Sequence, residues 1–139
     1  GEVRSVHNPN MCLEVHNRKL ALYNCRGTLP VLGDTHLTGF TKNQLVFNGD
    51  LLQDCWDTSW DTFSEERAEV RVFSCHVQTP VEGQPSSTQR FLYDQSRKAI
   101  VHPSSNRCLE YVNSSTVLLM WCVPERVTQQ WEVLTSVWF

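Results

Sequence analysis

The chain repeats itself three times, and each copy carries a pair of cysteines. Leu20-Ala21-Leu22-Tyr23-Asn24-Cys25, Val70-Arg71-Val72-Phe73-Ser74-Cys75 and Val117-Leu118-Leu119-Met120-Trp121-Cys122 align without gaps. Each has an apolar residue five and three positions before its cysteine, a period of two, which is the pattern of a strand with one buried face. Upstream, Val6 to Val15 matches Val101 to Tyr111 with one inserted residue, and Gly49 to Asp57 is a more divergent copy. A closing signal follows as Gln89-Arg90-Phe91 and Gln129-Gln130-Trp131, while the first copy has only Thr38-Gly39-Phe40. A single unit cannot bury its apolar face alone, so the three must share one core. The expected organisation is one domain over 1–139, with units at about 1–43, 44–95 and 96–139.

Helix signals are nearly absent. Ser64 to Glu69 resembles one capped helical turn, but Val70 to Phe73 reads as strand, so the segment is assigned to a loop. Turn signals break the rest into short runs, Phe47-Asn48-Gly49-Asp50 being the best hairpin turn. Gln78 to Ser87, with Pro80, Gly83 and Pro85, reads as an insertion loop. Many short strands without helices mean a sandwich or barrel, and three similar units favour a closed pseudo-threefold barrel.

Six cysteines allow 15 pairings. None forms C-x-x-C, so neither a zinc ribbon nor a redox motif is indicated, and the even count points to disulfides in an oxidising compartment. The repeat selects one pairing: Cys12–Cys25, Cys55–Cys75 and Cys108–Cys122. Each closes a loop of roughly 13 to 20 residues, worth about 3 kcal/mol in the chain-entropy picture. Asn113-Ser114-Ser115 is the one N-x-S/T sequon, making Asn113 a glycosylation candidate.

Composition narrows the function classes. Twelve basic and 15 acidic residues give a net charge of −3 and a pI near 5.9, which argues against a nucleic-acid partner. No run approaches the ~20 apolar residues of a membrane span, so no membrane contact by this domain is expected. The opening Gly1-Glu2-Val3-Arg4 carries no signal-like stretch, and the chain reads as an internal piece of a longer precursor. G-x-S-x-G, H-E-x-x-H and a Gly-rich phosphate loop are missing. Asp34, Asp50, Asp54, Asp57, Glu65 and Glu66 offer carboxylates, but no pair stands out as a glycosidase pair.

At the cysteine and Q-x-W positions the chain resembles a ricin-type β-trefoil lectin domain, whose pattern is C-L-D, a second cysteine, then Q-x-W, three times. More narrowly it is similar to the C-terminal lectin domain of polypeptide N-acetylgalactosaminyltransferases, through Gly1-Glu2-Val3-Arg4, the three cysteine pairs, Tyr23-Asn24-Cys25-Arg26-Gly27 and Gln129-Gln130-Trp131. The resemblance implies an all-β β-trefoil of about twelve strands. It also implies a sugar pocket per unit: an acid two after the first cysteine, an aromatic two before the second, a histidine just after it, and an asparagine before the Q-x-W glutamine.

The middle unit keeps Asp57, Phe73 and His76, with Thr88 in the asparagine position. The first offers Glu14, Tyr23 and Arg26; the last offers Glu110, Met120, Val123 and Thr128, and Met120 removes the ring. The residue types suit a galactose-type sugar. A carboxylate accepts two neighbouring hydroxyls at once, an aromatic ring covers the apolar C–H face, and histidine completes the rim. Glutamate lengthens the arm by about 1.5 Å where such sites tolerate about 0.5 Å, so Glu14 and Glu110 are discounted as anchors. Gln89, Phe91, Gln129 and Trp131 read as structural, the rings in the core and the glutamines bonded to backbone. Trp60 is an extra stacking candidate; Trp138 has no assigned role.

The expected function is a carbohydrate-binding module, itself not an enzyme, for N-acetylgalactosamine or galactose-type sugars on O-glycosylated proteins. It would target an attached glycosyltransferase catalytic domain in the secretory pathway, in the Golgi lumen or secreted, and would need no metal or cofactor of its own. Two alternatives stand beside this: a protein-interaction module on a decayed lectin scaffold, and a sugar-cleaving enzyme on the same barrel.

Overall fold

The computed structural model describes residues 2–25, 38–42, 44–48, 54–58, 67–75, 87–113 and 115–133. The strands are β1 Val3–Ser5, β2 Met11–His16, β3 Lys19–Asn24, β4 Thr38–Phe40, β5 Val46–Asn48, β6 Asp54–Asp57, β7 Arg67–Ala68, β8 Arg71–Ser74, β9 Leu92–Asp94, β10 Ala99–His102, β11 Arg107–Asn113, β12 Thr116–Trp121 and β13 Trp131–Val133. Two single 3-10 turns, Ser87–Gln89 and Val127–Gln129, precede β9 and β13. β7 and β8 occupy one strand position, interrupted at Glu69-Val70, so among the described residues thirteen segments fill the twelve positions of three four-strand units.

Strand pairing expresses the threefold repeat directly. The last strand of each unit runs antiparallel to the first strand of the next: β4 with β5, β9 with β10, and β13 with β1, which returns the chain's end to its beginning. The middle two strands of each unit form a hairpin: β2–β3, β6–β8 and β11–β12. These hairpins also touch one another, Lys19 of β3 opposite Arg71 of β8, and Leu119 of β12 opposite Ala68 of β7. These pairings join the described strands into sheets of six, five and two strands, and the β13–β1 pair brings the chain's end back to its start, one way closed β folds protect their edges.

Period two decides what each hairpin buries. The residues five before the second cysteine are Leu20, Val70 and Val117, and those three before it are Leu22, Val72 and Leu119; all six are buried in one cluster. The residue after each first cysteine (Leu13, Trp56, Leu109) and the closing aromatics (Phe40, Phe91, Trp131) join the same cluster. Trp56 sits between Phe40 and Phe91, with ring centroids 6.3 and 5.6 Å away in edge-on geometry, the arrangement aromatic quadrupoles favour. The Trp131 indole N–H donates to the Leu109 carbonyl at 3.0 Å, so the largest rings do not strand a polar atom.

All three disulfides lie within units, joining Cys12 to Cys25, Cys55 to Cys75 and Cys108 to Cys122, the pairing the repeat selected. The β2–β3 loop is the two-residue pair Asn17-Arg18, with φ of 51° and 60°; positive φ at both central residues marks the turn whose twist matches a hairpin.

Among the described residues, the sequence reading differs from the structure at Phe47-Asn48, read as part of a hairpin turn but paired with β4 in strand β5, and within Ser64–Glu69. It assigns the latter to a loop, but Arg67-Ala68 pairs beside β12, because Ala68 is apolar and joins the buried core cluster opposite Leu119. Ser64 to Glu66, the Asn48-Gly49 turn beyond Asn48, and the Gln78 to Ser87 loop up to residue 86 lie outside the described residues.

Trp131 is fully buried and hydrogen-bonded. Trp131→Ala is therefore expected to cost about 3–5 kcal/mol, read as a lowered midpoint in urea unfolding with the disulfides intact. A loss under 1 kcal/mol would contradict the shared core.

Candidate functional site

The site is built on the β6–β8 hairpin. Cys55 stands opposite Phe73 and Asp57 opposite Arg71. Opposed residues share a face, and so do residues two apart along a strand. Asp57, Phe73, Cys55 and Arg71 therefore share one face, while Trp56 and Val72 point into the core. Asp57 and Phe73 are diagonal neighbours, a relation that sets residues about 7–8 Å apart.

Asp57 is only 1% exposed. Its Oδ2 accepts the Gln89 amide N–H at 3.0 Å, and the same amide donates to the Ser74 carbonyl at 3.0 Å. Gln89 thus ties the acid of β6 to the end of β8, beside the second cysteine. The 3-10 turn carrying Gln89 is itself tied down, since Thr58 N–H donates to the Thr88 carbonyl at 3.1 Å. Thr88 is half-buried on that turn, and its backbone rather than its side chain makes this contact. His76 lies outside the described residues, as do Arg26, Trp60 and Trp138.

Phe73 is half-buried, and the Arg18 guanidinium stands 5.8 Å from its ring centroid. Arg18 comes from the first unit's hairpin loop and reaches Asp54 at 3.5 Å. Sequence reasoning missed this residue, because the contact spans two units and only the Asn17-Arg18 turn geometry aims it there. Alongside, Glu69 bridges the two hairpins, 3.0 Å from Lys19 Nζ and 2.9 Å from Arg71 Nη2. Its carboxyl is held below the usual range, first by the Lys19 hydrogen bond and with help from Arg71, against an opposing desolvation.

The other units repeat the geometry with different chemistry. Cys12 faces Tyr23 and Glu14 faces Ala21; Cys108 faces Met120 and Glu110 faces Leu118. In the third unit Gln129 donates to Glu110 at 2.8 Å and to the Trp121 carbonyl at 2.8 Å, repeating the Gln89 clamp. Its Oε1 also accepts Val123 N–H at 2.9 Å. Both glutamines bond backbone as the sequence indicated, but the carboxylate half of each clamp was not foreseen. Arg126 then closes on Glu110 at 3.2 Å, and Met120 supplies no ring. In the first unit Glu14 is buried, and half-buried Tyr23 meets the His16 ring edge-on at 5.7 Å. The glutamine position holds Thr38, whose hydroxyl accepts from the Asn48 amide at 3.1 Å.

One gathering of metal-type ligands occurs among the described residues: Glu2, Cys12 and Cys25. Both sulfurs are joined in a disulfide and Glu2 pairs with Arg4 at 3.1 Å, so the group offers no thiolate.

Three hairpins around one core, closed end to start, each with a disulfide and an acid-bearing outer face, define an all-β β-trefoil. The chain belongs to the ricin-type β-trefoil lectin domain family, whose family model matches residues 1–131; it is a lectin domain, of the carbohydrate-binding class. Among solved structures it is similar to an agglutinin from Abrus precatorius, with TM-score 0.70 and 11% identity over 94% of this chain and 44% of that one. It is also similar to GalNAc-T7 with UDP, GalNAc and Mn2+, with TM-score 0.70 and 17% identity over 95% of this chain and 21% of that one. The chain thus spans less than half the length of either. A comparison with curated proteins finds no match.

The Gln89 clamp sits on a buried carboxylate, so Gln89→Leu is expected to destabilise the domain by about 1–3 kcal/mol, the cost of leaving a buried acceptor without its donor. Chemical denaturation against the wild type checks it; an unchanged midpoint would show that Asp57 does not depend on the amide.

Proposed function

We propose that the domain binds N-acetylgalactosamine- or galactose-type residues on O-glycosylated proteins through its middle unit, and so directs an attached glycosyltransferase catalytic domain to its substrate. The observation that carries this reading is the shared outer face of Asp57 and Phe73, a carboxylate beside a ring. A carboxylate has about four acceptor positions, so one group can bond Gln89 for the fold and also accept from a sugar hydroxyl. Hydrogen bonds to an ionised acceptor are roughly twice as strong as neutral ones, and Phe73 supplies apolar area for the sugar's C–H face.

Arg18 over Phe73 is a weak cation–π contact of about 0.5–1 kcal/mol at an exposed site, which a ligand can displace or recruit as a donor. His76 and Thr88 complete the rim in this reading; Glu14 and Tyr23 form a weaker second candidate. A single sugar in such a pocket binds weakly, and clustered glycans supply the avidity.

The three disulfides support a secretory-pathway location, in the Golgi lumen or outside the cell. Asn113 is exposed at the β11–β12 hairpin end, and its Oδ1 accepts the Ser115 N–H at 3.1 Å, leaving the sequon at the surface as a glycan acceptor. The GalNAc-T7 likeness supports an attached catalytic domain. In this reading the module has no metal or cofactor of its own and performs no chemistry.

A second reading, a protein-interaction module on the lectin scaffold, is favoured by the third unit, where Arg126 and Gln129 already occupy Glu110. Silence on a glycan array together with a tight protein partner would select it.

Titration calorimetry with free N-acetylgalactosamine is expected to show binding by the wild type, none detectable by Asp57→Ala, and about tenfold weakening by Phe73→Ala, near 1.4 kcal/mol. Equal heats for wild type and Asp57→Ala would remove the site assignment. Secretory expression should yield a protein whose gel mobility shifts on glycosidase treatment, and Asn113→Gln should abolish the shift; an insensitive wild type would overturn Asn113 occupancy.

A further inference from the structure

His102 lies on β10 in the third unit, yet one of its ring nitrogens reaches across to the middle unit's Ser87, while the other bonds Ser105 of its own unit. It is fully buried, with its ring centroid 5.0 Å from that of Phe91. Nε2 is 2.8 Å from the Ser87 carbonyl and Nδ1 is 2.7 Å from the Ser105 hydroxyl. A carbonyl oxygen only accepts, so Nε2 carries the proton. In the neutral ring Nδ1 then accepts from Ser105. The Ser104 hydroxyl donates to the same Ser87 carbonyl at 3.2 Å.

Ser87 opens the 3-10 turn Ser87–Gln89, whose Thr88 carbonyl receives Thr58 N–H and whose Gln89 amide holds Asp57. A continuous chain of contacts therefore runs from His102 through Ser87 and Gln89 to the Asp57 carboxylate. Sites of this kind lose function when the supporting residues let the contacting groups drift by about half an ångström.

We propose that His102 is a positioning residue for the middle unit's sugar site: from the neighbouring unit it fixes the Ser87–Gln89 turn, and through it the Asp57 carboxylate. The proposal rests on the sugar-binding reading of Asp57 and adds to it a dependence on the third unit.

The dependence carries a pH signature. Burial pulls His102 below its ordinary 6.5, opposed by the Ser87 carbonyl, with Arg107 and Arg90 lowering it further and Asp57 raising it. The unfolded chain consequently takes up a proton first as pH falls. The contribution of neutral His102 to stability is complete above about pH 6.5 and is lost as pH falls through the depressed folded value. A protonated ring would point Nδ1–H at Ser105, whose hydroxyl must then turn to accept.

The test uses the whole domain. Titration with free N-acetylgalactosamine at pH 7 is expected to give His102→Phe about tenfold weaker binding, with His102→Gln, which retains a donor and an acceptor, recovering part of it. Affinity of His102→Phe within twofold of wild type would overturn the proposal.

A second measurement does not require the variant to fold. NMR of the wild-type protein is expected to show the Nε2–H tautomer, and Gln89 side-chain amide signals that move together with His102 as pH is lowered. Gln89 signals indifferent to His102 titration would equally overturn it. Should the wild type bind no sugar at all, the sugar reading alone fails, and the Gln89 signals still decide whether His102 controls the turn.

Discussion

A four-strand unit with one apolar face has nothing of its own to bury that face against. The structure meets this constraint by bringing three such faces together, so that Leu22, Val72 and Leu119, with Leu13, Trp56 and Leu109, fill one interior. Every other feature depends on that convergence. Closure by the β13–β1 pair follows, because three units around one core leave the first and last strands adjacent. The hairpin-to-hairpin contacts follow as well, and with them the ion pairs of Glu69 to Lys19 and Arg71 across two units. The disulfides act locally, each stapling one hairpin, and constrain the unfolded chain more than they direct the assembly.

The same alternation that builds the core creates the site. Once Trp56 and Val72 are committed inward, Asp57 and Phe73 have no choice but the outer face, and the register of one hairpin sets them diagonally together. The arrangement recurs in all three units, so the placement of the acid beside the ring position is a property of the backbone, and the chemistry presented there is a property of the side chains. Arg126 on Glu110 and Met120 in place of a ring give the third unit a different surface from the second, without any change of fold.

The legible part of this protein was whatever depends on spacing along the chain. The positions three and five before each second cysteine marked the core, and the repeat fixed the disulfides, because both are statements about one strand or one unit. What could not be read joins residues with no periodic relation. Arg18 over Phe73, Glu69 between two hairpins, and His102 under the Ser87 turn all cross a unit boundary. Arg67-Ala68 belongs to the same group, since two residues carry no pattern and only the presence of β12 makes them a strand. The Q-x-W glutamines lie between these cases: their position was visible, but their bond to the carboxylate depended on where each hairpin brought Asp57 or Glu110.

The first unit shows why a missing glutamine need not damage its neighbour. Thr38 is too short to reach across a hairpin as Gln89 does, and it instead accepts from Asn48, whose Oδ1 receives the Trp56 indole N–H at 2.7 Å. All three groups are buried, so each bond replaces one that water would otherwise make. Trp56 immediately precedes Asp57 on β6. The polar position that closes the first unit therefore anchors the strand presenting the second unit's acid, while Gln89 holds that acid from the other side. Asp57 is thus held by Gln89 and has its strand fixed by Asn48, both from its own unit, with Thr38 of the first unit bonded to Asn48 in turn. With His102 bonded to the Ser87 carbonyl, contacts from all three units meet around the one carboxylate, which is where a fold of three nearly equal parts becomes structurally unequal.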